Sequence, residues 1–272
     1  MAEHAVERPP YAVTTFGEDE AGNLYLADYN HGDVYELTDP GALTGYVYRV
    51  PAVAHIFGAK GTPWRSDLTL VNRSGFSANL TLTYLAMGVE LSQSAVLQPG
   101  VTLEWRNVLE TLFGQPPTAD TAGAVKIVAD VPLVVTARSY AVGARGTEGG
   151  RLPGLTDSDA LVPGRVGVVP GLKRNGASYT NVGVVNLGAA PCAVVITVFD
   201  RFGSQVGTRT PFAVDADHWA QQYDFLAAAG AGDQDIAYAT VEVQTPGGKA
   251  RAYAAVIDRT SRDPTFVPVA MP

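Results

Sequence analysis

The chain has 272 residues, of which 46% are hydrophobic and 17% charged, and its formal net charge is −8. This length and composition allow a sizeable core, and the negative charge disfavours binding to nucleic acid or to anionic membrane surfaces. No apolar run approaches the roughly 20 residues that a transmembrane helix needs. The sequence therefore predicts a globular protein with no nucleic-acid partner and no membrane partner.

Residues 1–10 lack an apolar signal core, and we expect them to form a disordered tail. The protein is then either intracellular or an exported protein whose signal has been removed. The stretch after Met1 has the character of a trimmed sequence, which favours an exported protein whose signal has been removed. We therefore expect the protein outside the cell or on its surface.

Residues 11–50 carry the pattern of a β-hairpin. NLYLADY and DVYEL alternate apolar and polar residues, as half-buried strands do. NHGD between them favours a tight turn in which Gly32 takes a positive φ. Because the edges of a hairpin leave backbone groups unpaired, we expect it to add to a sandwich sheet or to pair with another chain as a homo-oligomer.

Two short segments gather oxygen ligands of the kind that Ca²⁺ prefers. The hairpin turn holds Asp28, Asn30 and Asp33, and TDSDA holds Asp157 and Asp159. The distal glutamate of a complete calcium loop is missing from the turn, so Asx-turn chemistry and a solvated linker are the alternatives. We expect no cofactor, and structural Ca²⁺ is the metal that the sequence allows.

The rest of the chain contains an internal repeat. Residues 64–86 align without gaps on residues 178–200, and Asn72 falls on Asn186 at an offset of 114. Two further pairs of segments align at an offset of 116, namely 101–114 on 217–230 and 124–140 on 240–256. The second repeat therefore has two extra residues in an intervening loop.

Each repeat has the features of an all-β unit. Apolar residues alternate with polar ones over 66–72 and 78–85, which predicts strands joined by turns such as NRSG and QPG. NVLETLFG and YDFLAAAG predict one short helix per repeat, each closed by a glycine in the left-handed conformation. Units of about 110 residues with frequent strands indicate β-sandwiches of immunoglobulin type, although the Cys…Trp…Cys pattern of antibody domains is missing.

The predicted fold is therefore all-β. A propeller-blade-like hairpin segment at 11–50 precedes two tandem Ig-like β-sandwich repeats, which we place at 51–160 and 161–272. The single cysteine, Cys192, lies in an apolar run and is interpreted as a buried small hydrophobe. The four histidines are far apart, and neither a G-x-S-x-G elbow nor a P-loop occurs.

Residues 13–37 contain FGED, GNLYL, Asp28, Gly32 and VYEL in order. This segment resembles the last blade of the β-propeller of glucose/sorbosone dehydrogenase-like secreted proteins. In that family earlier blades hold the quinone cofactor and the catalytic base, so the resemblance implies no catalytic residue here. It implies a C-terminal fragment or a short relative of such an enzyme.

The repeats, with a WRSDLTLVN opening and a PTFVPV end, resemble tandem accessory modules of secreted bacterial proteins. This resemblance implies an exported, Ig-like accessory domain.

The candidate ligand-binding residues are Trp64, Arg65, Asp67, Glu104 and Trp105. Trp64 begins a predicted strand beside a loop, where an exposed indole could stack on a sugar ring, and ordinary packing is the alternative. Charged residues in such strands usually face solvent, but paired arginines and carboxylates could also bind an anion or act in hydrolysis.

The sequence favours a non-catalytic exported module for adhesion, spacing or substrate targeting, with a polysaccharide or cell-surface ligand as its partner. The alternative is a small promiscuous hydrolase, with or without metal assistance, whose site lies between the two sandwiches, since domain interfaces often hold such sites. If the protein is an enzyme, we expect a hydrolase and not a quinone-dependent dehydrogenase.

Overall fold

The structure, a computed structural model, describes residues 13–20, 24–37, 45–58, 61–143 and 146–271. In these residues the chain is built almost entirely from antiparallel strands, which confirms the predicted all-β class. The chain divides into two compact units, one ending at Thr44 and one beginning at Gly45. None of the described helices is long and apolar enough to cross a membrane. The predicted tail at 1–10 lies outside the described residues.

The smaller unit is a three-stranded antiparallel sheet in the order β1-β2-β3. Its strands are β1 (Val13–Glu18), β2 (Leu24–Asp28) and β3 (Val34–Leu37). Gly32 has φ 73°, which confirms the predicted turn between β2 and β3. Among the described strands these three pair with one another. The third strand of this sheet, β1, has the sequence VTTFGE and lies outside the predicted pair of strands.

The larger unit has a first half and a second half, separated by a single 3₁₀ turn at Asp157–Asp159. The first half consists of β4 (Tyr46–Phe57), β5 (Pro63–Asn72), β6 (Ala78–Ala86), β7 (Val89–Leu97), β8 (Thr102–Trp105), α1 (Val108–Thr111), β9 (Thr121–Ala129), β10 (Leu133–Gly143) and β11 (Gly146–Pro153). The second half consists of β12 (Val166–Arg174), β13 (Ser178–Asn186), β14 (Cys192–Asp200), β15 (Gln205–Val214), β16 (Trp219–Gln222), α2 (Phe225–Ala228), β17 (Gln234–Val243), β18 (Ala250–Asp258) and β19 (Pro264–Pro268).

The strand order of the second half follows that of the first. The second half has two four-stranded sheets, β12-β17-β14-β15 and β16-β13-β18-β19. The first half has the corresponding orders β4-β9-β6-β7 and β8-β5-β10-β11, joined into one sheet because the end of β4 also pairs with β5. The pairing of β4 with β9 shifts register between Val50 and Val53 and continues to His55, and the strand then pairs with β5 at Ile56 and Phe57. Because β4 begins at Tyr46, residues 46–50 lie with the first half, whereas the sequence pattern places them in the N-terminal segment.

Each half encloses its own apolar core. The first core gathers alternate residues from both parts of the joined sheet, including Leu68, Leu70, Leu82 and Ile127, which are fully buried. The second core does the same and contains Cys192. Burial raises the pKa of the Cys192 thiol, which agrees with its interpretation as a small hydrophobe and not a nucleophile.

Asn72 and Asn186, which align in the repeat, are both fully buried and make equivalent hydrogen bonds. Each side-chain amide donates to two backbone carbonyl groups, with that of Asn186 donating also to the carbonyl of Asp215, and each side-chain oxygen accepts a backbone N–H two residues further along. The partners are Phe76, Leu97 and Ser74 for Asn72, and Ala190, Val214 and Gly188 for Asn186. Each asparagine therefore ties a turn to the end of a neighbouring strand, satisfying buried backbone groups.

The two short helices also begin and end alike. Gly114 and Gly230 close them with φ 67° and 69°, which confirms the predicted left-handed glycines. At the start of α1, the backbone N–H of Asn107 donates to Asp67 Oδ1 at 2.9 Å. The Asn181 side chain accepts the corresponding N–H before α2, so these polar strand residues hold the helix starts.

Candidate functional site

The two halves of the larger unit meet across an apolar interface. One cluster there contains Leu155, Val185 and Leu187, with Trp219 packed against it. Another contains Tyr179 and Ile257, with Trp64 and Phe266 packed against it. Trp64 belongs to the first half and Tyr179 to the second, so side chains of both halves are buried together.

A network of ion pairs crosses the same interface. Arg49, whose side chain is only 7% exposed, donates from Nε to Asp217 Oδ1 at 2.6 Å and from Nη1 to Asp157 Oδ1 at 3.1 Å. Lys126 Nζ donates to the other oxygen of Asp217 at 2.6 Å. Lys249 Nζ donates to the other oxygen of Asp157 at 2.6 Å. Each carboxylate therefore has two cationic partners, and for the buried pair of Arg49 and Asp217 this offsets the cost of removing the charges from water.

Between the halves lies a cleft of about 260 Å³, which we call the aromatic cleft. Its aromatic lining consists of Trp64, Tyr179, Trp219, Tyr223, Tyr253 and Phe266. The amides of Asn181 and Gln221 and the hydroxyl of Ser139 supply polar groups, and the remaining described lining is aliphatic or glycine. Sites of this composition bind ligands by apolar contact and a few oriented hydrogen bonds.

Tyr223 is the exposed tyrosine of the aromatic cleft. Tyr223 follows β16 and is 52% exposed. Its ring centroid lies 5.0 Å from that of Tyr179, with the two planes tilted by 53°. Arg259 Cζ lies 5.1 Å from the Tyr179 ring centroid, within the range of a cation–π contact. Tyr223 is thus held beside a well-packed aromatic ring and still presents half of its surface to a ligand.

The floor of the cleft is fixed by Tyr253, which is 4% exposed. Its hydroxyl accepts a hydrogen bond from Trp219 Nε1 at 2.9 Å and donates one to Gln221 Oε1 at 3.0 Å. Burial raises the pKa of Tyr253, so this phenol remains protonated at neutral pH. A Cβ on Gly183, directly across the ladder, would lie 2.4 Å from Tyr253 Cζ, so glycine makes room for the ring.

The five candidate ligand residues do not form one site. Trp64 lines the cleft and is partly exposed. The Arg65 guanidinium donates to the backbone carbonyl of Trp64 at 2.8 Å, and Asp67 holds the start of α1. Glu104 pairs with exposed Arg106 at 3.1 Å, and Trp105 packs against the first core. Only the indole of Trp64 is placed to contact a ligand in the cleft.

The candidate calcium ligands are engaged in other contacts. Asp28 is buried and forms an Asx turn, accepting the Asn30 N–H at 3.1 Å and contacting His31 Nδ1 at 2.5 Å. The Asp33 carboxylate accepts from the Tyr35 hydroxyl at 3.3 Å. Among the described residues there is no group of three or more His, Cys, Asp or Glu side chains that could hold a metal.

The second predicted calcium segment is also structural. Asp157 is paired with Arg49 and Lys249, and Asp159 Oδ2 accepts hydrogen bonds from the backbone N–H and hydroxyl of Thr156. The latter contacts form a capping box on the 3₁₀ turn. These carboxylates therefore join and order the linker between the halves.

Tyr179 and Tyr223 are not among the residues that the sequence patterns indicate. Tyr179 occupies the repeat position of Arg65 at the offset of 114, so the two repeats differ there in chemical type. Such a departure from the repeat is the sequence signal that could have pointed to Tyr179. Whether the substituted side chain lines a cleft depends on how one half packs against the other, and a local sequence pattern does not reveal that packing.

Comparisons with known proteins show little likeness: no family model and no curated protein matches the chain. One solved structure to which the chain is similar is "Crystal Structure of Thermotoga maritima 1070", from Thermotoga maritima. The identity is 18% and the TM-score 0.35, and the match covers 41% of this chain and 94% of that chain. A likeness of that degree supports no conclusion about function.

Proposed function

We propose that the larger unit is a pair of tandem Ig-like β-sandwich repeats that acts as a non-catalytic carbohydrate-binding module of an exported protein. The shared strand order and the equivalent contacts of Asn72 and Asn186 support the tandem repeat. The resemblance of the repeats to accessory modules of secreted proteins supports export.

The aromatic cleft is the observation that carries the binding function. The C–H face of a sugar ring is apolar, and it packs well against exposed indole and phenol rings. Trp64 and Tyr223 offer such rings on opposite halves of the interface. The side-chain amides of Asn181 and Gln221 carry N–H groups with no partner among the described residues, and these can hydrogen-bond sugar hydroxyls.

The alternative hydrolase would need a site between the halves with a general acid and a general base. The cleft has the right location for such a site. Its described lining, however, contains no Asp, Glu, His, Lys, Arg or Cys side chain. The phenols of Tyr179 and Tyr253 have their pKa raised, mainly by burial, and this makes them poor bases at neutral pH. The chemistry of the cleft therefore favours binding over hydrolysis.

Calorimetric titration of the whole protein with a panel of soluble neutral and acidic oligosaccharides tests the proposal. We expect at least one to bind, and the Tyr223→Ala variant to bind it about tenfold more weakly, since an exposed aromatic anchor contributes on the order of 1.4 kcal/mol. Tyr46→Ala is the matched control because Tyr46 is 47% exposed and lies on β4 outside the cleft lining.

The outcomes separate the alternatives. Equal loss in the Tyr46 and Tyr223 variants, or no binding by any member of the panel, overturns the proposal. Hydrolysis of a bound oligosaccharide, detected by product analysis, would favour the enzyme alternative.

A further inference from the structure

A second cavity of about 320 Å³ lies next to the aromatic cleft, because Tyr253 and Phe266 line both. This second cavity, which we call the basic cavity, is also lined by Arg151 of the first half and Arg251 of the second. The interface between the halves therefore holds two neighbouring cavities, one lined by aromatic rings and one bordered by arginines.

The guanidinium of Arg251 is held in place by neutral acceptors. Its Nη1 donates to the backbone carbonyl of Asp159 at 2.9 Å, and its Nη2 donates to that of Val269 at 2.8 Å. A guanidinium has five N–H groups, so donors remain for a ligand. Burial lowers the pKa of Arg251, and the charge of Asp159 opposes this shift.

Arg151 provides the second cation. It lies on β11, and its side chain has no hydrogen bond or ion pair within the described part of the chain. The carboxylate that also lines the basic cavity, Asp159, already accepts two hydrogen bonds from Thr156. Two cations against one carboxylate leave this cavity positive in a chain whose net charge is −8.

We infer that the basic cavity binds the carboxylate of an acidic saccharide whose neighbouring sugar ring stacks in the aromatic cleft. This inference rests on the proposed carbohydrate-binding function and names its ligand class, a uronate-containing saccharide. The planar fork of arginine matches a carboxylate with two parallel hydrogen bonds. The local positive charge also attracts the ligand in spite of the overall negative charge.

The test compares the affinity of the whole protein for trigalacturonate with its affinity for the neutral trisaccharide of galactose. Both affinities are measured at low salt and at 0.3 M NaCl, where the Debye length is about 6 Å. We expect trigalacturonate to bind at least about tenfold more tightly, with the preference reduced at higher salt. Arg151→Gln should remove most of the preference without changing the affinity for the neutral trisaccharide. Arg165→Gln is the control, since Arg165 is exposed and lines neither cavity.

Arg251→Lys keeps the charge but loses the planar fork, and it should also weaken binding of trigalacturonate selectively. Equal affinity for the acidic and neutral trisaccharides, or equal effects of Arg151→Gln and Arg165→Gln, overturns the inference. Tighter binding of a sulfated trisaccharide than of trigalacturonate would overturn the choice of a carboxylate. If the neutral trisaccharide binds more weakly to Tyr223→Ala than to the parent, and trigalacturonate binds no more tightly than the neutral trisaccharide, this inference alone fails. If nothing binds, the proposed function fails as well.

Discussion

Arg49 of β4 and Asp217 of the second half form a hydrogen-bonded ion pair at 2.6 Å, and their side chains are 7% and 13% exposed. The two residues are 168 positions apart in the sequence. Because Lys126 binds the second oxygen of Asp217, this one carboxylate connects two strands of the first half to the second half.

Asp217→Asn should lower the free energy of unfolding by about 3 kcal/mol, since removal of one partner leaves a buried cation without compensation. The value lies at the low end of the usual range because Arg49 keeps its contact with Asp157. Asparagine is the right replacement because Asp217 has φ 61°, a left-handed conformation that asparagine tolerates. Urea denaturation gives the measurement.

Asp215→Asn is the matched control because Asp215 is exposed and has no ion pair in the described residues. It should change the unfolding free energy by less than about 0.5 kcal/mol. Comparable losses in the two variants would show that the buried network does not hold the halves together.

Acid should weaken the same interface. The hydrogen bond from Lys249, together with the charges of Lys249 and Arg49, holds the pKa of Asp157 below its usual value of 3.8. A carboxyl whose pKa is lowered by folding contributes stability above its unfolded pKa, and this contribution is lost as the pH falls through the folded value. In denaturation series between about pH 5 and pH 2, the unfolding free energy of the parent protein should fall more steeply with decreasing pH than that of Asp157→Asn. Parallel curves would contradict the assigned role of Asp157.

The aligned asparagines should be equally important. Asn72→Ala and Asn186→Ala should each lower the unfolding free energy by about 3 kcal/mol, because each leaves two or more buried backbone groups without a partner. The exposed Asn79, whose amide pairs with Asp130, provides the control, and Asn79→Ala should cost less than about 1 kcal/mol. A large effect at one repeat position and none at the other would contradict their structural equivalence.

Several local features could be predicted from the sequence. Period-two alternation predicts the strands, and glycines at 32, 114 and 230 mark left-handed positions. The apolar run around Cys192 predicts its burial. Each of these features depends on residues that are neighbours in the chain, and a local sequence pattern can therefore predict it.

The site depended on contacts between distant residues and was not predictable in the same way. Asp67 and Asp157 have the residue types of a ligand site, but their tertiary contacts give them structural roles. Tyr179 and Tyr223 meet only because β13 and the segment after β16 are adjacent in the fold. Trp64 was indicated because it begins a predicted strand beside a loop, where an exposed indole could stack on a sugar ring.

The two cavities should also depend on Gly150. A Cβ at this position would lie 2.5 Å from Phe266 Cδ2, which belongs to the other half. Gly150→Ala should displace the ring, lower the unfolding free energy by about 1–3 kcal/mol and weaken saccharide binding. Gly176→Ala is the control, since nothing lies within 4 Å of its added Cβ. Unchanged stability and binding in Gly150→Ala would contradict the described packing of Phe266.

The most direct test of the cleft is a titration followed by NMR of the tryptophan indole N–H signals. The chain has three tryptophans, of which Trp64 and Trp219 line the cleft and Trp105 packs on the first core. Assignment by single Trp→Phe variants distinguishes the three signals. On saturation with the tightest-binding saccharide, we predict that the signals of Trp64 and Trp219 shift while that of Trp105 stays in place. A shift of Trp105 alone, or no shift of Trp64 at saturation, would contradict binding in the aromatic cleft.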